Sequence, residues 1–117
     1  MNKGIRDIVR GMRNREGMYV QPPDWNNIVS FLHGFSAGMR SSGQKSELGE
    51  FELWLEKKAG LKCASGWTWI VEHKFANGDS KNALPIFYLL WDEYLEDNPV
   101  GFQNSSEPDS GPKPEQD

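Results

Sequence analysis

Residues 24–39, "DWNNIVSFLHGFSAGM", decide the fold. Trp25, Ile28, Val29, Leu32, Phe35 and Met39 recur at three- and four-residue spacing, which places them on one face of an α-helix. Asp24 stands immediately before that pattern, where a short carboxylate can accept from the unpaired N–H groups of the first turn. The stretch therefore predicts an amphipathic helix over residues 25–40. Gly34 and Gly38 lie four apart inside it, and because glycine costs about 1 kcal/mol against alanine in a helix interior, the pair is expected to mark close packing of another element.

Upstream, "NREGMYVQPPD" (residues 14–24) reads as a corner. Gly17 suits a chain reversal, and each proline biases the residue before it away from helix. Met18 and Tyr19 are expected to act as plugs between the flanking helices, since a Met-Tyr pair offers no strong base or nucleophile near neutral pH. Before the corner, Ile5, Ile8, Val9 and Met12 form a helical face, with Arg6, Arg10 and Arg13 along another. A first helix over residues 2–14 with a basic stripe follows.

Downstream, Ser46 can cap a third helix carrying Leu48, Phe51, Trp54, Leu55 and Ala59, with Gly60 as its stop. Residues 65–76 fit two periods, strand through Trp67, Trp69 and Val71, or helix through Trp67, Ile70, Val71 and Lys74. A helix capped by Ser65 is expected there, with strand as the alternative. Residues 80–97 align Leu84, Phe87, Leu90, Trp91, Tyr94 and Leu95, and Pro85 marks either the start of that helix or a bend in it. The predicted class is all-α, a single small domain of four to five helices over residues 1–98. Residues 99–117, "PVGFQNSSEPDSGPKPEQD", are expected to be a disordered acidic C-terminal tail, because they hold almost nothing to bury.

Composition narrows the function. The chain has 117 residues, one domain's worth, with 37% hydrophobic residues and five Trp, which suggests a small aromatic-rich core. Apolar runs fall well short of the roughly 18 residues of a membrane span, and "MNKGIRDIVRG" has no signal-peptide h-region, so a cytosolic protein with no membrane partner is expected. One cysteine, Cys63, excludes an internal disulfide framework and a thiolate metal cluster. His33 and His73 sit in no metal-binding spacing, and no catalytic residue, metal or cofactor is expected.

Charge is polarised. Net charge is −4, yet residues 1–20 carry five cations against two carboxylates, and residues 92–117 carry eight carboxylates against Lys113 alone. The N-terminal stripe could follow phosphates, although the acidic total argues against nucleic acid as partner. Acidic runs more often keep a protein soluble. Their functional reading is a surface for a basic protein partner, gaining on-rate and selectivity from electrostatic complementarity. Glu47, Glu50 and Glu56, with Trp67 as an exposed anchor, form the favoured partner-binding set, and Asp92, Glu93 and Glu96 the second.

"RNREGMYV", "DWNNIVSFLHGF", the Phe-x-x-Trp of "EFELWL" and "GWTWIV" together resemble a group of small bacterial helical proteins. Their pattern is Arg-Pro-x-Met-Tyr followed by a Leu-x-x-Phe-x-x-Gly-aromatic helix, and the group is associated with immunity proteins, cytosolic antidotes to toxins passed between competing bacteria. Arg15, Met18, Tyr19, Phe31, Gly34 and Phe35 occupy the matching positions, while Glu16 stands where the pattern has Pro and "QPPD" replaces a Gly-containing turn. The resemblance implies an interaction protein that binds and blocks a cognate toxin, such as a nuclease. Two other readings stay open: a nucleic-acid-associated regulator using the basic first helix, and a small enzyme, which would need His33, His73, Cys63 or a carboxylate pair to converge.

Overall fold

Asp24 caps the helix that the sequence makes plainest, accepting from the Asn27 N–H at 2.9 Å. In the computed structural model, which describes residues 4–62 and 64–99, that helix, α2, spans Trp25–Ser41. It joins α1 (Ile5–Met12), α3 (Glu47–Ala59), α4 (Trp67–Trp69, continuing as a π-helical segment Ile70–Phe75) and α5 (Ser80–Asp97). The chain is all-α, with no strand among the described residues. The expected tail lies outside them from residue 100 on. No helix among them is long and apolar enough to cross a membrane.

Phe51 of α3 centres the core. Its ring meets Trp67 at 5.9 Å, Phe87 at 5.7 Å, Trp91 at 5.1 Å and Tyr94 at 5.5 Å, all edge-on. The ring quadrupole favours that geometry, and each such pair adds about 0.5–1.5 kcal/mol beyond its buried area. Around this hub α1 contributes Ile5, Val9 and Met12, and α2 contributes Trp25, Ile28, Leu32 and Met39.

The segment of ambiguous period is helical. Trp67, Ile70 and Val71 are buried while Trp69 is 40% exposed, so the two tryptophans take opposite fates within a helix rather than sharing a strand face. Widening to a π-helix from Ile70 shifts the later residues off the 3.6 period, which explains the mixed pattern. Ser65 is not its cap. Gly66 stands at that position with φ of +85°, and Glu52 from α3 supplies the acceptor, taking the Trp67 N–H at 3.0 Å. A Cβ on Gly66 would lie 3.0 Å from that same carboxylate oxygen. Helix α5 begins at Ser80, capped by Asp79, and runs through Pro85 on its exposed face, where the proline has no N–H to give the Lys81 carbonyl.

Two expectations about glycines and the corner are corrected. Gly34 and Gly38 are exposed, with nothing within 4 Å of where a Cβ would stand, so they mark no close packing. Met18 is 80% exposed and plugs nothing, whereas Tyr19, 39% exposed, does lie between α1 and α2, its hydroxyl 2.8 Å from where a Cβ on Gly11 would stand and its ring 5.7 Å from Phe31. Met12 is fully buried in the last turn of α1, and the 3₁₀ turn Glu16–Met18 leaves Met18 outside. Glu16 is the residue that fastens the corner. It accepts from the Tyr88 hydroxyl at 2.7 Å and from the Asn14 N–H at 3.1 Å.

The basic stripe of α1 is structural. Arg6 forks onto Glu47 at 2.8–3.0 Å and also donates to the Asn98 and Pro99 carbonyls. Arg13 clasps Asp92 through two bonds of 2.7 and 3.0 Å while lying over the Tyr88 ring, and exposed Arg10 pairs with Asp7. Glu47 is only 4% exposed and takes a further bond from the Tyr94 hydroxyl at 2.6 Å.

Two outcomes follow for stability. Glu47→Gln leaves Arg6 without its anionic partner and should cost about 3 kcal/mol in urea unfolding, against less than about 0.5 kcal/mol for exposed Glu50→Gln. Burial pushes the Glu16 carboxyl up, but the Tyr88 hydroxyl and backbone N–H bonds outweigh it and hold the group below its ordinary value. Its contribution to stability is therefore complete above the unfolded-state value and lost as pH falls through the lower folded-state value. Tyr88→Phe removes one of the opposing bonds, so the acid limb of melting temperature against pH should move to higher pH.

Candidate functional site

An open cleft of about 680 Å³ lies between α3 and the end of α5. Its walls are Glu50, Leu53, Trp54, Glu56 and Lys57 from α3, Leu61 and Lys62 from the following loop, and Tyr94 and Asn98. The helix period puts residues 50, 53, 54 and 57 on one side. Gly60 then turns the chain back in the left-handed region, φ +73°, with the Leu61 N–H bonding the Glu56 carbonyl at 3.1 Å. This Schellman arrangement brings Leu61 over the cleft.

Trp54 is held on several sides. Its ring stacks on Phe51 at 6.0 Å, meets Tyr94 edge-on at 5.9 Å and carries the Lys58 ammonium at 5.6 Å, while its indole N–H donates to Asp97 at 2.8 Å. Beside it Leu53 is 58% exposed. A rigid indole next to an exposed leucine supplies apolar contact at low entropic cost, since Trp54 has little freedom left to lose.

The expected partner-binding residues divide. Glu50 and Glu56 line the cleft, and the Trp54–Asp97 and Lys58–Glu93 contacts show that the acidic groups of α3 and α5, far apart in sequence, run side by side. Glu96 is exposed on the same terminal turns of α5. Among the described residues Glu50, Glu56 and Glu96 make no ion pair. Asp92 is taken by Arg13, and Glu93 by Lys58 at 2.8 Å, an exposed pair of small energetic value.

Glu47 and Trp67 are corrected as surface groups. Glu47 is the first residue of α3, where the helix turns inward over Arg6 and Tyr94, and Trp67 is 5% exposed between Phe51 and Phe87. The indole that borders the cleft is Trp54, which was read as core because it shares the apolar period of α3. Leu53 was missed because it falls off that period. An apolar residue out of phase with its helix was the available clue.

The catalytic alternatives gain no geometry. The His33 ring lies 5.8 Å from Trp67, and His73 stacks on Trp69 at 4.9 Å, each on its own helix. Cys63 lies outside the described residues, and among those residues no group of His, Cys, Asp or Glu side chains is placed to hold a metal ion. The positions that resemble the immunity-protein pattern form a second surface, where Tyr19 meets Phe31 at 5.7 Å and Phe31 stacks on Phe35 at 6.4 Å, with Met18 and Gly34 exposed.

No family model matches the chain, and no match is found among curated proteins or solved structures.

The burial of Trp67 and the exposure of Leu53 can be checked by unfolding. Trp67→Ala should cost about 3–5 kcal/mol as a core truncation, whereas Leu53→Asp should stay within about 0.5 kcal/mol of the parent.

Proposed function

We propose that this protein is a cytoplasmic interaction protein that neutralises a protein partner, an antidote of the toxin–immunity type, and that it grips its partner through the cleft beside Leu53 and Trp54. The observation that carries the reading is an exposed leucine against an immobilised indole, in a cleft whose wall also holds Glu50 and Glu56, which make no ion pair among the described residues, alongside Lys57 and Lys62. Apolar anchoring gives affinity there, and Glu50 and Glu56 of the cleft wall, with Asp97 on the Trp54 indole, outnumber Lys57 and Lys62 of the same wall and favour a partner with a basic rim. A nuclease active site that binds phosphates has that character, and the carboxylates would occupy it as a decoy. The nucleic-acid reading finds less support, because Arg6, Arg10 and Arg13 already face carboxylates.

The test is co-expression with the toxin encoded by the neighbouring gene. Wild-type protein should protect the cells. The double variant Glu50→Lys, Leu53→Asp should keep its far-UV spectrum, bind the toxin at least about tenfold more weakly, equivalent to 1.4 kcal/mol, and lose protection. Full protection by that variant would remove the cleft as the interface, and the absence of a toxin gene beside this one would remove the immunity reading.

A further inference from the structure

A second, smaller pocket of about 190 Å³ opens between α2, α3 and the start of α4, away from the cleft. Its chemistry is polar: His33, Ser36, Arg40, Glu52, Gly66 and Trp67 border it. At about 30 Å³ per water it holds roughly six waters, below the roughly 300–1,000 Å³ of sites for drug-sized ligands. Its occupant must be a molecule of few heavy atoms.

The pocket is built rather than incidental. Ser36 occupies a core position of α2 between Leu32 and Met39 and is 3% exposed, where a hydroxyl is costly unless it is bonded. It is bonded on both sides. Arg40 donates to it at 2.8 Å, and its own hydroxyl meets the Ser46 hydroxyl at 2.6 Å, the same oxygen that caps α3 through the Leu48 N–H. A part-buried relay anchored in a helix cap thus holds the guanidinium of the otherwise exposed Arg40 at the pocket edge. Unlike Arg6, Arg10 and Arg13, Arg40 has no carboxylate partner among the described residues.

Glu52 lines the same pocket. One of its oxygens is pinned by the Trp67 N–H at 3.0 Å, and Gly66 is the residue that lets it approach so closely. Its second oxygen has no hydrogen-bond partner among the described residues. Arg40 and Glu52 line the same small space without forming an ion pair with each other. The His33 ring, 5.8 Å from Trp67, completes the wall.

We infer that this pocket binds a small zwitterion bearing both a carboxylate and an ammonium group, of the size of a small free amino acid. The carboxylate would meet Arg40 and the ammonium would meet Glu52, exchanging water for charge-assisted hydrogen bonds at both ends. A simple anion would gain Arg40 but face the Glu52 charge, and a simple cation would face the reverse. The dipolar lining therefore selects a dipolar ligand. This site is independent of the partner-binding cleft.

The experiment follows the backbone amide resonances of Gly49, Gly66 and Trp67 in the full chain during titration with alanine, and with propionate and ethylamine at matched ionic strength. Alanine should shift them saturably and the two single-charge analogues should not. Arg40→Gln and Glu52→Gln, the latter keeping an acceptor for the Trp67 N–H, should each retain the far-UV spectrum and weaken alanine binding by about tenfold or more. The inference is overturned if alanine gives no saturable shift, if propionate or ethylamine binds as well as alanine, or if either variant binds alanine as the parent does.

Discussion

Everything around the cleft depends on one buried carboxylate. Glu47 opens α3 and receives a forked guanidinium from α1 and a hydroxyl from α5, so three helices that share little sequence proximity meet at one pair of oxygens. Burying an ion pair costs several kcal/mol per charge in desolvation, and the attraction repays it only where geometry is good and the remaining bonding capacity is filled. Both conditions hold here. Arg6 spends its other donors on the Asn98 and Pro99 carbonyls, which fixes the end of α5 against α1. Tyr94 and Asn98, held by that network, form the floor of the cleft. The same contacts explain why the Tyr94 hydroxyl ionises far above its ordinary value: burial raises it, and the adjacent Glu47 charge raises it further.

The aromatic hub and the ionic network divide the labour. Phe51 supplies cohesion through four edge-on rings, but such packing tolerates small rotations of one helix against another. Forked hydrogen bonds do not. Arg13–Asp92 and Tyr88–Glu16 repeat the device at the other end of α1, tying that helix and the corner after it to α5. Register between α1 and α5 is thereby set at Arg6 and Arg13, two turns apart on the same face.

Much of this was legible in the sequence, and the part that was not has a common cause. Asp24 and Ser46 act as the caps their positions imply, and Gly60 stops α3 in the left-handed conformation, because caps and stops are decided by neighbours in the chain. The helical faces were readable for the same reason. What failed depends on partners distant in sequence. Ser65 looks like a cap, but Glu52 arrives from another helix and takes the Trp67 N–H first. Glu47 has the same composition and spacing as Glu50, and only the arrival of Arg6 and Tyr94 separates a buried ion pair from a surface charge. Met18 has the composition of a core residue, yet it ends the 3₁₀ turn Glu16–Met18 and is left outside, while Tyr19 beside it reaches Gly11 and Phe31.

Charge accounting connects the fold to the site. The N-terminal cations and the acidic groups of α3 and α5 read in sequence as two opposed halves, and the fold sets one against the other selectively. Arg6 and Arg13 neutralise Glu47 and Asp92, the members nearest α1, and Lys58 meets Glu93. What remains without an ion pair among the described residues is Glu50, Glu56 and Glu96, of which Glu50 and Glu56 line the cleft beside Leu53 and Trp54. Charges already paired inside a protein contribute little field outside it, whereas unpaired carboxylates on a low-dielectric apolar wall act at longer range and are screened by salt over about 10 Å. The basic helix therefore shapes the acidic surface without belonging to it, by deciding which carboxylates of α3 and α5 are paired.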